Sequence, residues 1–90
     1  MRESTIERAA RDYARARGVL CLKFTSPGVA GVPDRLLIGP SGLVAFVEFK
    51  APGKKPTALQ RHWLTKLSDH NVRAEWVDNL TDAKRIIDSL

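Results

Sequence analysis

The stretch Gly31–Lys50, GVPDRLLIGPSGLVAFVEFK, decides how this chain is read. Two short apolar runs, DRLLIG and GLVAFVEFK, flank a GPSG turn, the pattern of a β-hairpin. The second run is apolar on alternate sides, Val44 and Phe46 one way and Ala45 and Val47 the other, so it reads as a central strand with layers packed on both faces. Its far end is charged. Glu48 and Lys50, two apart on a strand, project together, and antiparallel pairing across GPSG sets Asp34 beside Glu48, away from the turn.

The flanking segments extend the pattern. ESTIERAARDYARARG carries Ile6, Ala10 and Tyr13 at helical spacing, with Ala9 and Ala14 beside them and Gly18 as a stop. VLCLKF has strand length, and SPGVAGVP is a loop. APGKKP is a second loop. TALQRHWLTKLSDHN reads as a helix with Leu59, Trp63, Leu64 and Leu67 on its apolar stripe, a Thr57/Gln60 capping box and Asn71 at its end. VRAEWVD alternates Val72, Ala74 and Trp76 against Arg73 and Glu75, predicting a half-exposed strand with both tryptophans, Trp63 and Trp76, in the core. TDAKRIIDSL closes the chain as a helix with Thr81 as N-cap. The order is α-β-β-β-α-β-α, an α/β (α+β) mixed sheet covered by helices.

Ninety residues allow one domain, 1–90, with a modest core that a second copy would help to cover. No segment has the length of a membrane span and no signal peptide opens the chain, predicting a cytoplasmic setting. Cys21 is the only cysteine and reads as buried in a reducing compartment; with two histidines it makes no zinc constellation. Fifteen Lys and Arg against ten Asp and Glu give a net charge of +5, which favours a polyanionic partner.

Two carboxylates and an ammonium group at one rim suit a hydrated divalent cation. Magnesium takes oxygen ligands, commonly one or two carboxylates with water and phosphate completing the shell. Asp34, Glu48 and the backbone carbonyl of Phe49 are the candidate ligands. Lys50 would contact a scissile phosphate, or position and deprotonate the attacking water. Lys23, Ser26, Arg35, Lys54, Lys55, Arg61 and His62 flank the rim and are candidate phosphate contacts, with the loops 26–33 and 51–56 as cleft walls. Taken singly, Asp after Pro and Glu-x-Lys on a strand are common surface features.

Together the fragments resemble something more specific. PD followed after 13 residues by EFK is similar to the signature of the PD-(D/E)xK nuclease superfamily. The wider text SPG…GVPDRL…FVEFKAPGK…Q resembles, over essentially the whole chain, the virus-type replication-repair nuclease (VRR-Nuc) family. That resemblance implies a restriction-endonuclease-like αβββαβ core with a C-terminal helix and a Mg2+- or Mn2+-dependent DNA endonuclease without a small-molecule cofactor. It implies Asp34 and Glu48 as metal ligands, Lys50 as the catalytic lysine, Gln60 as a catalytic helper, and a first-helix glutamate, Glu7 or Glu3 with preference for Glu7, as a further ligand. Small relatives include dimeric Holliday-junction resolvases, so the resemblance also implies a homodimer acting on branched or duplex DNA in phage recombination or repair. A flap-type nuclease, a non-catalytic DNA-binding module and a plain interaction domain are the alternatives. The intact acidic pair separates the enzyme from the last two, because carboxylates facing a phosphate repel it unless a cation intervenes.

Overall fold

The computed structural model describes all 90 residues. Three helices and four strands follow in the expected order: α1 (Glu3–Ala16), β1 (Leu20–Lys23), β2 (Arg35–Ile38), β3 (Val44–Phe49), α2 (Ala58–Asp69), β4 (Ala74–Val77) and α3 (Leu80–Asp88). The sheet has the order β1-β2-β3-β4, antiparallel at its first two seams and parallel between β3 and β4. The β2–β3 hairpin closes through Gly39–Gly42, where the Gly42 N–H donates to the Gly39 carbonyl at 3.0 Å. Gly42 has φ 94°, a conformation that glycine adopts without steric cost.

Helices α1 and α3 lie side by side on one face. Ile6, Ala10 and Ala14 of α1 and Ala83, Ile86 and Ile87 of α3 close over Leu37, Ala45, Val47, Phe49 and Val77. Small alanines at successive turns of α1 let its backbone come close to its neighbours, which suits so short a chain. Tyr13 reaches from α1 to α3, its hydroxyl donating to Asp88 at 2.9 Å, while the Arg17 guanidinium sits 3.5 Å from its ring centroid.

The other face is less covered than expected. Helix α2 packs beside β4 rather than across the sheet. Alternate residues of the central strand therefore differ: Ala45 and Val47 are buried, while Val44 is 39% exposed. The open face is laid out in rows set by the register. Leu20, Ile38 and Val44 form the first row, and Leu22, Leu36, Phe46 and Ala74 the second. Phe24 stands edge-on to Phe46 with ring centroids 5.1 Å apart.

Three local expectations are corrected. The inward residue of β4 is Val77, whereas Trp76 lies on the open face at 37% exposure; the alternation holds, but the helices cover the face opposite to the one expected. The N-cap of α3 is Asn79, whose side-chain oxygen accepts from the Asp82 N–H at 2.8 Å, so the helix starts one residue before Thr81. Cys21 is half-buried rather than enclosed, because β1 is an edge strand.

Candidate active site

The third row of the open face is charged. The β2–β3 register ends at Arg35 opposite Val47, so Asp34 and Glu48 each stand one residue beyond the last paired position, close enough for the Asp34 charge to act on Glu48. Glu48 pairs in turn with Trp76 of β4. On the other side of Asp34, its carbonyl accepts from the Phe24 N–H at 2.8 Å, and its carboxylate is 3.7 Å from the Lys23 ammonium. The two acids thus share a face and an end of the sheet. Lys50, just past β3, follows Glu48 by two residues; its N–H donates to the Val77 carbonyl at 2.8 Å, carrying the extended backbone beyond the strand.

Electrostatics mark Glu48 as the strained member. Burial, first, and the nearby Asp34 carboxylate, second, push its carboxyl up to about 7; Lys50 opposes the shift, and Glu3 and Glu7 add to it. Both α1 glutamates are therefore near enough to Glu48 for their charge to be felt there. Negative charge is concentrated here in a chain that is basic overall, and a cation would relieve it. No group of three or more His, Cys, Asp or Glu side chains converges into a closed cage. Two carboxylates and a carbonyl fit magnesium or manganese, which keep water and take substrate oxygens, better than an all-protein site.

Three residues expected at this site are engaged otherwise. Glu7 Oε1 accepts from Arg35 Nη2 at 2.9 Å, with the two side chains 22% and 10% exposed, so the preferred α1 ligand is already paired. Arg35, expected among the exposed phosphate contacts, instead turns under the sheet toward α1, because residues 34 and 35 point to opposite faces. Burial works against its charge, but Glu7's hydrogen bond and charge outweigh that and raise its pKa. Gln60, expected as a catalytic helper, completes the capping box of α2: its side-chain oxygen accepts from the Thr57 N–H at 2.9 Å, and Thr57 Oγ1 accepts from the Gln60 N–H at 3.2 Å. Its amide NH2 alone is left for substrate.

The loops bring further cations to the same end. Gly53 donates its N–H to the Asp78 carboxylate at 3.1 Å, tying the loop that bears the exposed Lys54 and Lys55 to the end of β4. Arg61 and His62 are exposed on the first turns of α2, with His62 edge-on to Trp63. The 26–33 loop bears Ser26 and leans on α2. A Cβ at Gly31 would lie 2.7 Å from the Leu59 side chain and 3.1 Å from its backbone, so packing against α2 requires glycine here. Trp76, at the open end of the charged row, was missed as a site residue: strand alternation gives two faces but does not say which one the helices cover.

A mixed sheet backed by helices, with Asp and Glu-x-Lys converging at the ends of its central hairpin, defines the PD-(D/E)xK class of nuclease folds. The VRR-NUC domain model matches residues 4–79, and the chain belongs to that family of nuclease domains. A solved VRR-NUC domain superposes with a TM-score of 0.86 at 26% identity, covering 96% of this chain and 94% of that one. The final helix, beyond the matched family segment, is thus largely within the structural likeness. A phage protein described as "Putative nuclease p44", from Acyrthosiphon pisum secondary endosymbiont phage 1, is 50% identical over 60 residues. Those residues are 67% of this chain and 64% of that protein, so the likeness spans under two thirds of the relative's length. No helix is long and apolar enough to cross a membrane.

Proposed function

We propose that this chain is a divalent-metal-dependent DNA endonuclease that selects branched DNA, acting as a phage-type junction resolvase. The observation that carries this reading is the closeness of Asp34 and Glu48 at one end of the hairpin, with Lys50 two residues on and Glu48 pushed up to about 7. Asp34, Glu48 and the Phe49 carbonyl would hold Mg2+ or Mn2+, which when bound supplies a Lewis acid for the phosphate and lowers the pKa of water.

The chain's own groups do the rest. Lys50 contacts the scissile phosphate and orients the attacking water from the side of Glu48. Glu3, whose charge weighs more on Glu48 than that of the Arg35-bound Glu7, is the α1 carboxylate free to complete the site. Lys23, Lys54, Lys55 and Arg61 hold flanking phosphates, and Ser26 lines the loop opposite. The Gln60 NH2 can donate to substrate without giving up the cap. With no recognition helix in a major groove, selection rests on DNA shape and deformability.

The open face supports a homodimer. Leu20 and Leu22 are 55% and 45% exposed, and Leu43 and Val44 continue the patch at 55% and 39%. A second copy of this chain would cover these rows and supply the second cut that a four-way junction needs. The setting is the cytoplasm of a bacterial or phage-infected cell, during recombination or repair.

The deciding experiment incubates the protein with four-way, flap, splayed and linear DNAs under single-turnover conditions, with Mg2+, Mn2+ or chelator. Paired nicks in the four-way DNA that vanish with chelator support the reading. Equal cleavage of all four removes the structure selectivity, and cleavage that survives chelator removes the metal.

A further inference from the structure

A second basic site lies behind the sheet. The seam between α1 and the edge strand β1 holds a groove of about 530 Å³ running from Gly18 to Arg35. Arg11 and Arg15, one turn apart and about 6 Å along the helix, line one wall. Cys21 lies on the other, and Arg35 closes the end. No carboxylate lies within ion-pair distance of Arg11 or Arg15, in contrast to Arg17, Arg73 and Arg85, each matched to an acid. Glu7 is the carboxylate that meets Arg35, and it binds Nη2, leaving the buried Nε without a hydrogen-bond partner. That nitrogen belongs to a side chain nine-tenths buried. Burial also pushes the Cys21 thiol up, as expected where water is partly excluded.

Two unpaired guanidinium groups over a partly dry groove form an anion site, and their planar forks suit phosphate oxygens. Asp34 and Arg35 are consecutive residues on opposite faces, so the groove begins one residue from the acidic pair and leads away from it around the short edge strand. We propose that the α1–β1 seam is a second phosphate-binding site, where Arg11 and Arg15 grip the nucleic-acid backbone several nucleotides from the point of cleavage. The proposal rests on the nuclease reading for the identity of the polyanion, but its test reads binding alone.

Labelled four-way DNA is titrated by fluorescence anisotropy in chelator, between 50 and 200 mM salt, with wild type and the double variant R11A/R15A. Loss of two phosphate contacts lowers the slope of log affinity against log salt by about 2 and weakens binding tenfold or more at the lower salt. The charge-matched control K84A/R85A, on α3, lowers the slope by less than half as much. An unchanged slope in R11A/R15A, or an equal fall in the control, overturns the proposal. Inorganic phosphate at matched ionic strength distinguishes the ligand's source. It displaces DNA no better than chloride if the seam grips the backbone; selective displacement lost in R11A/R15A would make the seam a free-phosphate site and overturn the assignment to DNA. Failure of cleavage with intact seam binding counts against the enzyme reading, not against the seam.

Discussion

Arg35 and Glu7 clamp α1 to β2 on the covered side of the sheet, guanidinium to carboxylate at 2.9 Å, directly behind the acidic pair. The contact gives Glu7 a structural role that Glu3 lacks. Glu7→Ala leaves a buried guanidinium unpaired and should cost about 2–4 kcal/mol in a urea titration, whereas Glu3→Ala stays within about 0.5 kcal/mol. Single-turnover cleavage should show the reverse emphasis, with Glu3→Gln slowed tenfold or more at unchanged stability. Full rate in Glu3→Gln would remove that residue from the site.

Glu48 predicts a pH-dependent stability. Its pKa in the fold, about 7, lies above the usual 4.5, so the folded state binds the proton more tightly than the unfolded state. The neutral carboxyl carries no penalty below about pH 4.5; the penalty of ionisation grows as the pH rises and is complete once it passes the folded value. In chelator, Glu48→Gln should therefore gain about 1–2 kcal/mol over wild type on going from pH 5 to pH 8, after allowance for solvent screening. Magnesium at pH 8 should stabilise wild type and leave the variant unmoved. A pH-independent difference would mean that the carboxylates do not crowd each other.

Asp34→Asn and Lys50→Ala should each slow cleavage of branched DNA by about 10²–10⁴-fold while leaving its binding in chelator within about threefold. The measurement is a single-turnover rate beside an anisotropy titration. Either variant at wild-type rate would refute the role given to that residue.

Gly31 should resist substitution for reasons of packing. With φ 91° and the Leu59 backbone in the way of a Cβ, Gly31→Ala meets both strain and overlap and should lower stability by about 1–3 kcal/mol. Gly28, with φ 78° and open space around it, provides the comparison: alanine there meets the backbone strain alone and should cost less. Equal losses at the two positions would argue against the contact between loop and helix.

The bare rows of the sheet predict a dimer. Leu20→Lys with Val44→Lys places two charges in the row farthest from Asp34 and Glu48. A solution mass twice that of the chain should fall to the monomer value, and paired incisions in four-way DNA should become single nicks. A wild-type monomer at micromolar concentration would remove this interface.

How far the sequence was legible depended on what each signal measures. Periodicity and turn residues gave the element order and the hairpin, because both are local. The β2–β3 register, which carries Asp34 toward Glu48, was legible too, since a tight turn sets the register of the strands it joins. Trp76 and Arg35 were misplaced for one reason: alternation separates the two faces of a strand, but only tertiary contacts say which face the helices cover. Gln60 was ambiguous because a capping box and a catalytic amide ask for the same residue type at the same place. The Glu7–Arg35 contact joins residues 28 apart in the chain and leaves no periodic trace.

The division of the hairpin into a clad side and a bare side has a consequence for how this protein can vary. Odd-numbered positions of β2 and β3 pack the interior, while their even-numbered neighbours carry the acids and the apolar rows. Inserting or deleting a single residue in the GPSG turn would force the ladder to shift, presenting polar groups to the interior and hydrocarbon at the acidic rim. Tolerated length changes in that turn should therefore come in steps that preserve the parity of the strands.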